Sequence, residues 1–158
     1  MVTGGLGTLS VQKRLEGFRK VALKQGISLY EINTQSLPKS VSGEPDFNQI
    51  SENLTVATAY FCVNDSLAIQ LMQYYKDQNI AIPEEKSFIG VDDSFLCRHV
   101  QPSLSSVSQS SKKMGSKAAE LLFDLIDNKT NGQETTQIIL TPSFIERQSV
   151  MNYHHSLS

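Results

Sequence analysis

Several features are missing from this sequence, and each absence excludes a class of protein. No apolar run approaches the ~20 residues that a transmembrane helix requires. Basic residues are not in excess: 14 lysines and arginines stand against 16 aspartates and glutamates, for a net charge of −2. This balance provides no electrostatic footprint for nucleic acid, so any contact with DNA must lie outside this chain.

Cysteine and histidine are scarce, with two and three residues respectively. A disulfide between Cys62 and Cys97 is one alternative. Cysteine ranks among the most buried residue types, however, which favours two small buried thiols. None of the histidines has zinc-ligand spacing with the cysteines, and we therefore predict no metal site.

What is present is the composition of a globular domain, with 39% hydrophobic and 19% charged residues. A length of 158 residues suits one domain with a sizeable core. Strand-like apolar runs alternate with stretches of helical periodicity, which indicates an α/β domain with a parallel sheet and right-handed crossovers. The predicted helices are Leu9 to Gln25, Asp46 to Asn53, Asp65 to Gln78 and Ser110 to Asn128, and the predicted strands are Met1 to Thr3, Ile27 to Ile32, Val56 to Val63, Ser87 to Val91, Ser105 to Ser108, Gln137 to Thr141 and Ser143 to Arg147.

The chain opens in the middle of a βα unit. The residues Met1 to Thr3 look like the end of a strand, and the glycine turn Gly4 to Gly7 leads directly into the first helix. A free-standing domain rarely starts in this way. We therefore expect the sequence to be a fragment that lacks an N-terminal half.

The most informative stretch runs from Ile80 to Val107. It combines a proline-containing loop, a short buried strand that ends at Val91, and the carboxylates Asp92 and Asp93. In open parallel sheets ligands bind beyond the carboxyl ends of the strands, so Asp92 lies where a ligand hydroxyl would be read. Its two oxygens can accept hydrogen bonds from two sugar hydroxyls. Asp93 fits a turn or cap residue better.

Three other polar residues lie at predicted helix starts. Ser10 and Arg14 are one turn apart near the start of the first helix, where backbone N–H groups and the helix dipole favour oxygen-rich ligands. The planar fork of Arg14 suits two vicinal hydroxyls or a carboxylate, and the alternative is an ordinary surface arginine. Asn64 follows a buried strand and either binds a ligand or only caps the next helix.

Six motifs follow one another along the chain and cover nearly all of it. They are the glycine turn with Arg14-Leu15-Glu16-Gly17-Phe18, then Val63-Asn64-Asp65-Ser66-Leu67-Ala68, Ile82-Pro83-Glu84-Glu85-Lys86-Ser87-Phe88-Ile89-Gly90-Val91-Asp92-Asp93, Pro102-Ser103-Leu104-Ser105-Ser106-Val107, Met114-Gly115-Ser116-Lys117-Ala118-Ala119-Glu120-Leu121-Leu122 and Glu146-Arg147-Gln148-Ser149. In this order they resemble the effector-binding domain of the LacI/GalR family of transcription regulators.

The resemblance implies a three-layer, parallel-sheet α/β lobe of the periplasmic-binding-protein-like (type I) fold, truncated at the N-terminus. In that fold the chain crosses three times between two lobes, and the ligand lies between them. The resemblance assigns residues 1–100 and 135–150 mainly to the C-terminal lobe. Residues 103–130, and with them the strand Ser105 to Ser108, go to the N-terminal lobe. The DNA-binding domain lies outside this chain.

The resemblance also implies roles for particular residues. In that family the residues at Arg14 and Asn64 bind the effector, and the motif that resembles the family's also contains Asp92. Ser111 takes the place of an aromatic or long polar side chain that covers the ligand, and we include it as a weaker candidate. Two more departures are Val91, where the family has an aromatic residue, and Gln70, where it has a small one. These departures leave the identity of the effector open.

Members of the resembled family dimerise through the helix after Asn64 and the segment near Arg98 to Val100. The helix carries an apolar stripe wider than one sheet contact needs, and tyrosine is enriched in interface cores. The alternative is that its two tyrosines cover the edge of the sheet. The predicted homodimer interface comprises Leu67, Leu71, Tyr74, Tyr75, Arg98 and Val100.

The function that the resemblance implies is a binding switch without chemistry or cofactor. A cytoplasmic repressor would bind a sugar or similar small polar effector and change its affinity for operator DNA. One alternative is the sugar-binding component of a transport system with the same fold. A remote alternative is a dinucleotide-binding enzyme, since Gly5-Leu6-Gly7 resembles part of a dinucleotide fingerprint and Glu31 could bind the ribose, although the third glycine is missing.

Overall fold

The structure, a computed structural model, describes residues 1–4, 7–41, 43–50, 56–127 and 137–151. Three short 3-10 turns lie at Thr34–Ser36, Phe47–Gln49 and Phe95–Arg98. The helices are α1 (Leu9–Lys24), α2 (Asp65–Asp77) and α3 (Ser111–Ile126), and the strands are β1 (Val2–Thr3), β2 (Ile32–Asn33), β3 (Ala59–Phe61), β4 (Ser87–Val91), β5 (Ser105–Ser108) and β6 (Ser143–Ile145).

Four of the strands form one sheet in the order β3-β4-β5-β6. The first three are parallel and β6 is antiparallel to β5. Strands β1 and β2 form a parallel pair, and a bridge between Val2 and Cys62 joins this pair to the end of β3. The predicted α/β class is therefore confirmed. Because the parallel strands run the same way, their carboxyl ends meet at one edge of the sheet.

Strand β5 corrects the expected division of the chain into lobes. We expected Ser105 to Ser108 in the N-terminal lobe, apart from β3 and β4. Ser106 instead pairs with Gly90 of β4, and both Ser105 and Ser106 are completely buried. A central strand must find hydrogen-bond partners on both sides, and β5 finds them in β4 and β6. The chain therefore leaves this sheet only after Ser108.

Helix α1 begins and ends close to where the sequence predicts. The hydroxyl of Thr8 accepts a hydrogen bond from the Val11 amide at 3.4 Å and caps the first turn. Leu15 and Ala22 are the buried members of the apolar stripe. Gly26, with a φ of 65°, adopts the left-handed conformation that commonly follows a helix.

Helix α2 packs against the sheet through an aromatic cluster. The Tyr60 ring of β3 stacks on Phe88 of β4 with centroids 4.9 Å apart. The hydroxyls of Tyr60 and Tyr75 lie 2.6 Å apart, so each buried phenol satisfies the other. Desolvation raises the pKa of both hydroxyls above the ordinary tyrosine value.

This packing overturns most of the predicted dimer interface. Leu67, Leu71 and Tyr75 are only 6%, 0% and 3% exposed, because they face the sheet of their own chain. Tyr74 is half-buried between Phe47 and the edge of the Tyr75 ring. Tyr75 thus covers the sheet, as in the alternative interpretation, whereas Tyr74 packs on Phe47 and Tyr75. An apolar stripe predicts that one face of a helix is buried, but it does not distinguish burial against the chain's own sheet from burial against a second subunit.

Several predicted elements are shorter in the structure. The second strand is confined to Ile32–Asn33, because its partner β1 offers only two residues for pairing. The apolar run 56–63 contributes only Ala59–Phe61. The predicted helix from Asp46 to Asn53 is represented by the 3-10 turn Phe47–Gln49, and its last residues lie outside the described ranges. Residues 137–141 form no strand, whereas Ser143–Ile145 pairs with β5 as predicted.

Helix α3 has the predicted helical spacing but no packed face. No residue of Ser111–Ile126 is buried. The side chains of Met114, Leu122, Phe123 and Leu125 remain 52%, 55%, 63% and 56% exposed. Contiguous exposed apolar surface of this kind normally marks an interaction site. None of the helices in the described ranges has the length and apolar character required to cross a membrane.

The two cysteines are free and completely buried, which confirms the prediction of small buried thiols. Burial raises the pKa of Cys62 to about 12 and that of Cys97 to about 11. Both side chains therefore act as small apolar groups of the core.

Candidate ligand-binding site

A cavity of about 480 Å³ lies at the carboxyl edge of the sheet, a size that suits a small ligand. Strands β3, β4 and β5 contribute Phe61, Val91 and Val107, and helix α1 contributes Arg14. The remaining lining residues are Gln109, Met114, Ile138, Leu140 and Pro142. The cavity therefore combines a mainly apolar wall with a few polar groups.

Arg14 and Asp92 meet beside this cavity. Arg14 Nη1 donates a hydrogen bond to the main-chain oxygen of Val63 at 2.6 Å, and Arg14 Nη2 lies 3.7 Å from Asp92 Oδ1. The contact with Val63 holds the guanidinium at the end of β3 and directs its second nitrogen towards the acid. The Arg14 side chain is 23% exposed and that of Asp92 46%, so both can meet a ligand from solvent.

Gln109 completes this polar group and was missed by the sequence analysis. Its Nε2 donates to Asp92 Oδ1 at 2.5 Å. Gln109 follows the last residue of β5 directly, as Asp92 follows the last residue of β4. The rule that selected Asp92, a polar residue just beyond a strand end, would therefore have selected Gln109 as well.

The backbone that presents Asp92 is unusual. Asp92, Asp93 and Ser94, here called the acidic loop, include two non-glycine residues with positive φ, 113° at Asp92 and 52° at Asp93. Such conformations cost about 1–3 kcal/mol each and persist where the surroundings enforce them. The Asp92 amide donates to Val107 O at 2.9 Å, and the Asp93 amide donates to Ser106 Oγ at 3.1 Å.

Asp65, the first residue of α2, supports the acidic loop from within the core. It is 2% exposed, and its carboxylate accepts hydrogen bonds from Ser106 Oγ at 2.6 Å and from the Ser94 amide at 2.7 Å. Gly90 makes room for it, since a Cβ at Gly90 would lie 2.3 Å from Asp65 Oδ1. The sequence analysis had identified Asp65 only as the first residue of a predicted helix.

Arg147 holds the loop from the C-terminal part of the chain. Its Nη1 donates to Leu104 O at 2.6 Å, and its Nη2 pairs with the Asp93 carboxylate. Both side chains are nearly buried, at 10% and 16% exposure. Arg98 approaches the other oxygen of Asp93 at 4.0 Å from the surface. Asp93 is therefore a structural ion-pair partner and more than the turn residue that the sequence indicated.

Asn64 caps helix α2. Its Oδ1 accepts a hydrogen bond from the Leu67 amide at 2.8 Å, which is the structural alternative raised by the sequence. The preceding residue, Val63, binds Arg14, so Asn64 lies next to the Arg14 and Asp92 pair. Its amide nitrogen is a separate donor, and a contact with a ligand stays a prediction.

The other predicted residues lie farther from the polar group. Ser10 is exposed in the first turn of α1, with its Oγ 3.2 Å from Thr8 Oγ1. Ser111 is exposed at the start of α3, and neither serine is among the described residues that line the cavity. Gly5 and Leu6 of the glycine turn lie outside the described residues. Both oxygens of Glu31 accept hydrogen bonds from Arg19, at 2.5 and 2.6 Å.

The chemistry of the described site is that of recognition. A carboxylate, a guanidinium and a carboxamide lie side by side and complement hydroxyl groups, which both donate and accept. None of the described lining residues is a serine, cysteine, lysine or histidine that could act as a nucleophile. The described residues also contain no cluster of three histidine, cysteine or acidic side chains that could hold a metal ion.

Residues 6–150 match the family model of the periplasmic binding protein-like domain, so the match spans almost the entire chain. The chain belongs to this family. Among curated relatives, the HTH-type transcriptional regulator GalR of Escherichia coli is 31% identical over 153 residues, which cover 93% of this chain and 44% of GalR. The HTH-type transcriptional repressor PurR of Pasteurella multocida is 28% identical over 151 residues, or 95% of this chain and 45% of PurR.

A solved structure supports the same assignment within the periplasmic binding protein-like family. The LacI family transcriptional regulator from Enterococcus faecium, determined with bound ribose, is 29% identical and superposes with a TM-score of 0.77. The match covers 94% of this chain and 55% of that one. The chain is thus an effector-binding domain of the LacI/GalR type, and it spans about half the length of the curated relatives it matches. These relatives are named as transcription regulators, which leaves the dinucleotide-dependent enzyme without support.

Proposed function

We propose that this chain is the ligand-sensing domain of a DNA-binding transcription repressor. Binding of a sugar or similar small polar molecule changes the affinity of the whole protein for operator DNA. The observation that carries the proposal is the pair of Arg14 and Asp92 beside a cavity at the carboxyl ends of three parallel strands. The Enterococcus relative, solved with ribose, supports a sugar as the class of ligand.

The polar group divides the recognition of a sugar between acceptor and donor. Asp92 accepts hydrogen bonds from one or two hydroxyls, and Arg14 donates to the oxygens of the same or the neighbouring carbons. The apolar residues Phe61 and Val91 then pack against the C–H face of the ring. Further contacts are assigned to Asn64 and Ser10, and a weaker one to Ser111.

The switch requires a second wall. The exposed apolar side of α3 indicates that this helix packs in an N-terminal lobe built from the half of the relatives' length that this chain does not match. A ligand that contacts both lobes stabilises their closed arrangement, and the changed orientation of the lobes alters DNA binding. The size of this change is limited by the difference between the ligand's affinities for the closed and the open arrangement. The operator is contacted by a separate basic domain in the cytoplasm, since this chain carries a net charge of −2.

A homodimer is part of this proposal, through the surface that follows the acidic loop. Phe95 and Leu96 are 75% and 54% exposed, and the Phe95 ring stacks on His99 with centroids 4.0 Å apart. Arg98 and Val100 border this patch, and aromatic and arginine side chains are enriched at interface cores. A two-fold axis brings such a patch onto its own copy.

Sedimentation of the whole protein tests the dimer. Phe95→Glu should dissociate it, because the charge would be buried without a partner. Leu23→Glu, at an apolar position of α1 that is 80% exposed, is the control for this surface. A Phe95→Glu protein that sediments like the wild type would show that the subunits associate elsewhere.

Calorimetry and operator binding of the whole protein test the ligand site. Asp92→Asn should weaken the binding of a recognised sugar about tenfold or more, because charge-assisted hydrogen bonds contribute about 1.5–3 kcal/mol each. Operator binding should persist. The control is Asp77→Asn, which alters another exposed aspartate whose partner, Gln73 Nε2, lies 2.7 Å away. Unchanged sugar affinity in Asp92→Asn would contradict the role of Asp92. Loss of both sugar binding and operator binding would also contradict it.

A further inference from the structure

The hydrogen bond between Gln109 and Asp92 occupies the atom that a ligand needs. The Gln109 carboxamide donates to Asp92 Oδ1, and Arg14 Nη2 approaches the same oxygen. Because a carboxylate oxygen has two lone pairs and Gln109 and Arg14 both face Oδ1, a ligand hydroxyl that binds this oxygen competes with Gln109. The pair is accessible to such competition, because the Asp92 side chain is 46% exposed and Gln109 lines the cavity.

Gln109 also lies on the link between the sheet and α3. Gln109 and Ser110, here called the connector, join the last residue of β5 to the first residue of α3. Ser110 has a φ of 55°, and its side chain makes no capping hydrogen bond. Since no residue of α3 is buried, few contacts other than those of the connector fix the start of the helix relative to the sheet.

We propose that Gln109 is an exchangeable latch that holds the connector to Asp92 in the empty site and is displaced by a ligand hydroxyl. The inference rests on the proposed function, in which Asp92 binds the ligand. It adds that Gln109 lowers the affinity for the ligand by competing for Asp92. It also adds that ligand binding at Asp92 frees the connector and thereby changes how the start of α3 is held. It restricts the ligand to molecules that present a hydrogen-bond donor to Oδ1 next to an apolar face for Phe61 and Val91.

The neighbouring acid shows why Asp92 is the exchangeable one. Asp93 and Arg147 form their pair almost out of solvent, at 16% and 10% exposure, so a ligand cannot replace Arg147. Asp92 takes its partner from a side chain at the cavity surface. The two adjacent carboxylates thus have different roles. Asp93 fixes the acidic loop, and Asp92 exchanges Gln109 for a ligand.

Amide hydrogen exchange in the ligand-free whole protein tests the latch. The reporter is the Met114 amide, which donates to Ser110 O at 3.0 Å across the start of α3. Gln109→Met removes the donor at equal length, and Asp92→Gly removes the acceptor at a φ of 113° that glycine tolerates. Each should raise Met114 exchange about tenfold, the factor that one charge-assisted hydrogen bond contributes, and the double variant should add nothing more.

The matched control is Gln73→Met. It removes the same kind of bond, from Gln73 Nε2 to Asp77 Oδ1 at 2.7 Å, on the surface of α2. Exchange at Met114 should not change in this variant. Unchanged exchange in Gln109→Met, or additive effects in the double variant, would overturn the latch.

Calorimetry with D-ribose as the probe separates a competitor from a ligand contact. Gln109→Met should bind ribose about three- to tenfold more tightly than the wild type, because one competing hydrogen bond is gone. Weaker binding would show that Gln109 holds the ligand itself and would overturn the inference. A wild-type protein that does not bind ribose counts against the sugar in the proposed function, and the ligand-free exchange experiment still decides the latch.

Discussion

The acidic loop lies beside the cavity that helix α3 lines through Met114, and the two regions are held in opposite ways. The loop rests on Asp65 and Arg147, which are 2% and 10% exposed and satisfied by hydrogen bonds from several elements. Helix α3 has no buried residue, and Phe123 is 63% exposed. A binding site needs its polar groups fixed before the ligand arrives, and this chain fixes them on one side only. On the other side, the described residues supply no surface that covers α3.

The largest expected effect comes from breaking the support of the acidic loop. Arg147→Met leaves the nearly buried Asp93 carboxylate without its partner, which should lower the free energy of unfolding by about 3–5 kcal/mol. Urea denaturation measures this loss. Arg98→Met is the control, because Arg98 is 68% exposed and 4.0 Å from the same carboxylate, and it should cost less than about 1 kcal/mol. Equal losses would contradict the distinction between the two arginines.

Two glycine substitutions should have effects of opposite sign in the two regions. Gly90→Ala places a methyl group against Asp65, so it should lower the free energy of unfolding by about 1–3 kcal/mol. Gly115→Ala on α3 meets nothing within 4 Å and should raise it by up to about 1 kcal/mol through helix propensity. Thermal unfolding of both variants tests the contrast, which fails if the two shifts have the same sign.

A truncation on α3 should have little effect in this chain. Phe123→Ala should change the free energy of unfolding by less than about 0.5 kcal/mol, because the ring has little packing to lose. In the whole protein the same change should cost several times more if a second lobe covers α3. Denaturation of both forms supplies the test. A large loss in the 158-residue chain would show that the helix is packed after all.

The smallest expected effect is the pH dependence of an exposed ion pair. The hydrogen bond from Arg19 lowers the pKa of Glu31 below its ordinary 4.5, so the unfolded state binds the proton more readily. The contribution of the pair is therefore present above pH 4.5 and is lost as the pH falls through the lowered pKa. The stability difference between the wild type and Glu31→Gln should shrink over that range. A difference that grows on acidification would contradict the sign.

The sequence predicts those elements whose signals are local. Strands Ser87–Val91 and Ser105–Ser108 have the predicted bounds, and helix α1 ends one residue earlier than expected. The proximity of Arg14 and Asp92 also follows from sequence, since both lie at the end of the βα units where parallel strands converge. Periodicity and strand-end position are sufficient for these features.

The remaining features depend on contacts that no local pattern records. Asp65 and Arg147 reach the acidic loop from far along the chain, and Asp65 fits only because Gly90 lacks a side chain. The apolar spacing is similar on α2 and α3, yet only α2 has a buried face among the described residues. The difference arises because α2 follows β3 and returns to β4 across the sheet, whereas α3 lies outside it.

The ladder between β5 and β6 has a mechanical consequence. Ser108 pairs with Ser143, so the chain leaves the sheet and re-enters it at one point. Helix α3 lies between these two neighbouring exit and entry points. It can therefore rotate about the line that joins Ser108 and Ser143 without breaking a hydrogen bond between β5 and β6. Helix α3, 16 residues long, is a lever of about 24 Å on this pivot. A rotation of about 10° would move the far end of α3 by about 4 Å. Because Gln109 lies at the pivot, a small rearrangement of its side chain can produce a large displacement at the other end of the helix.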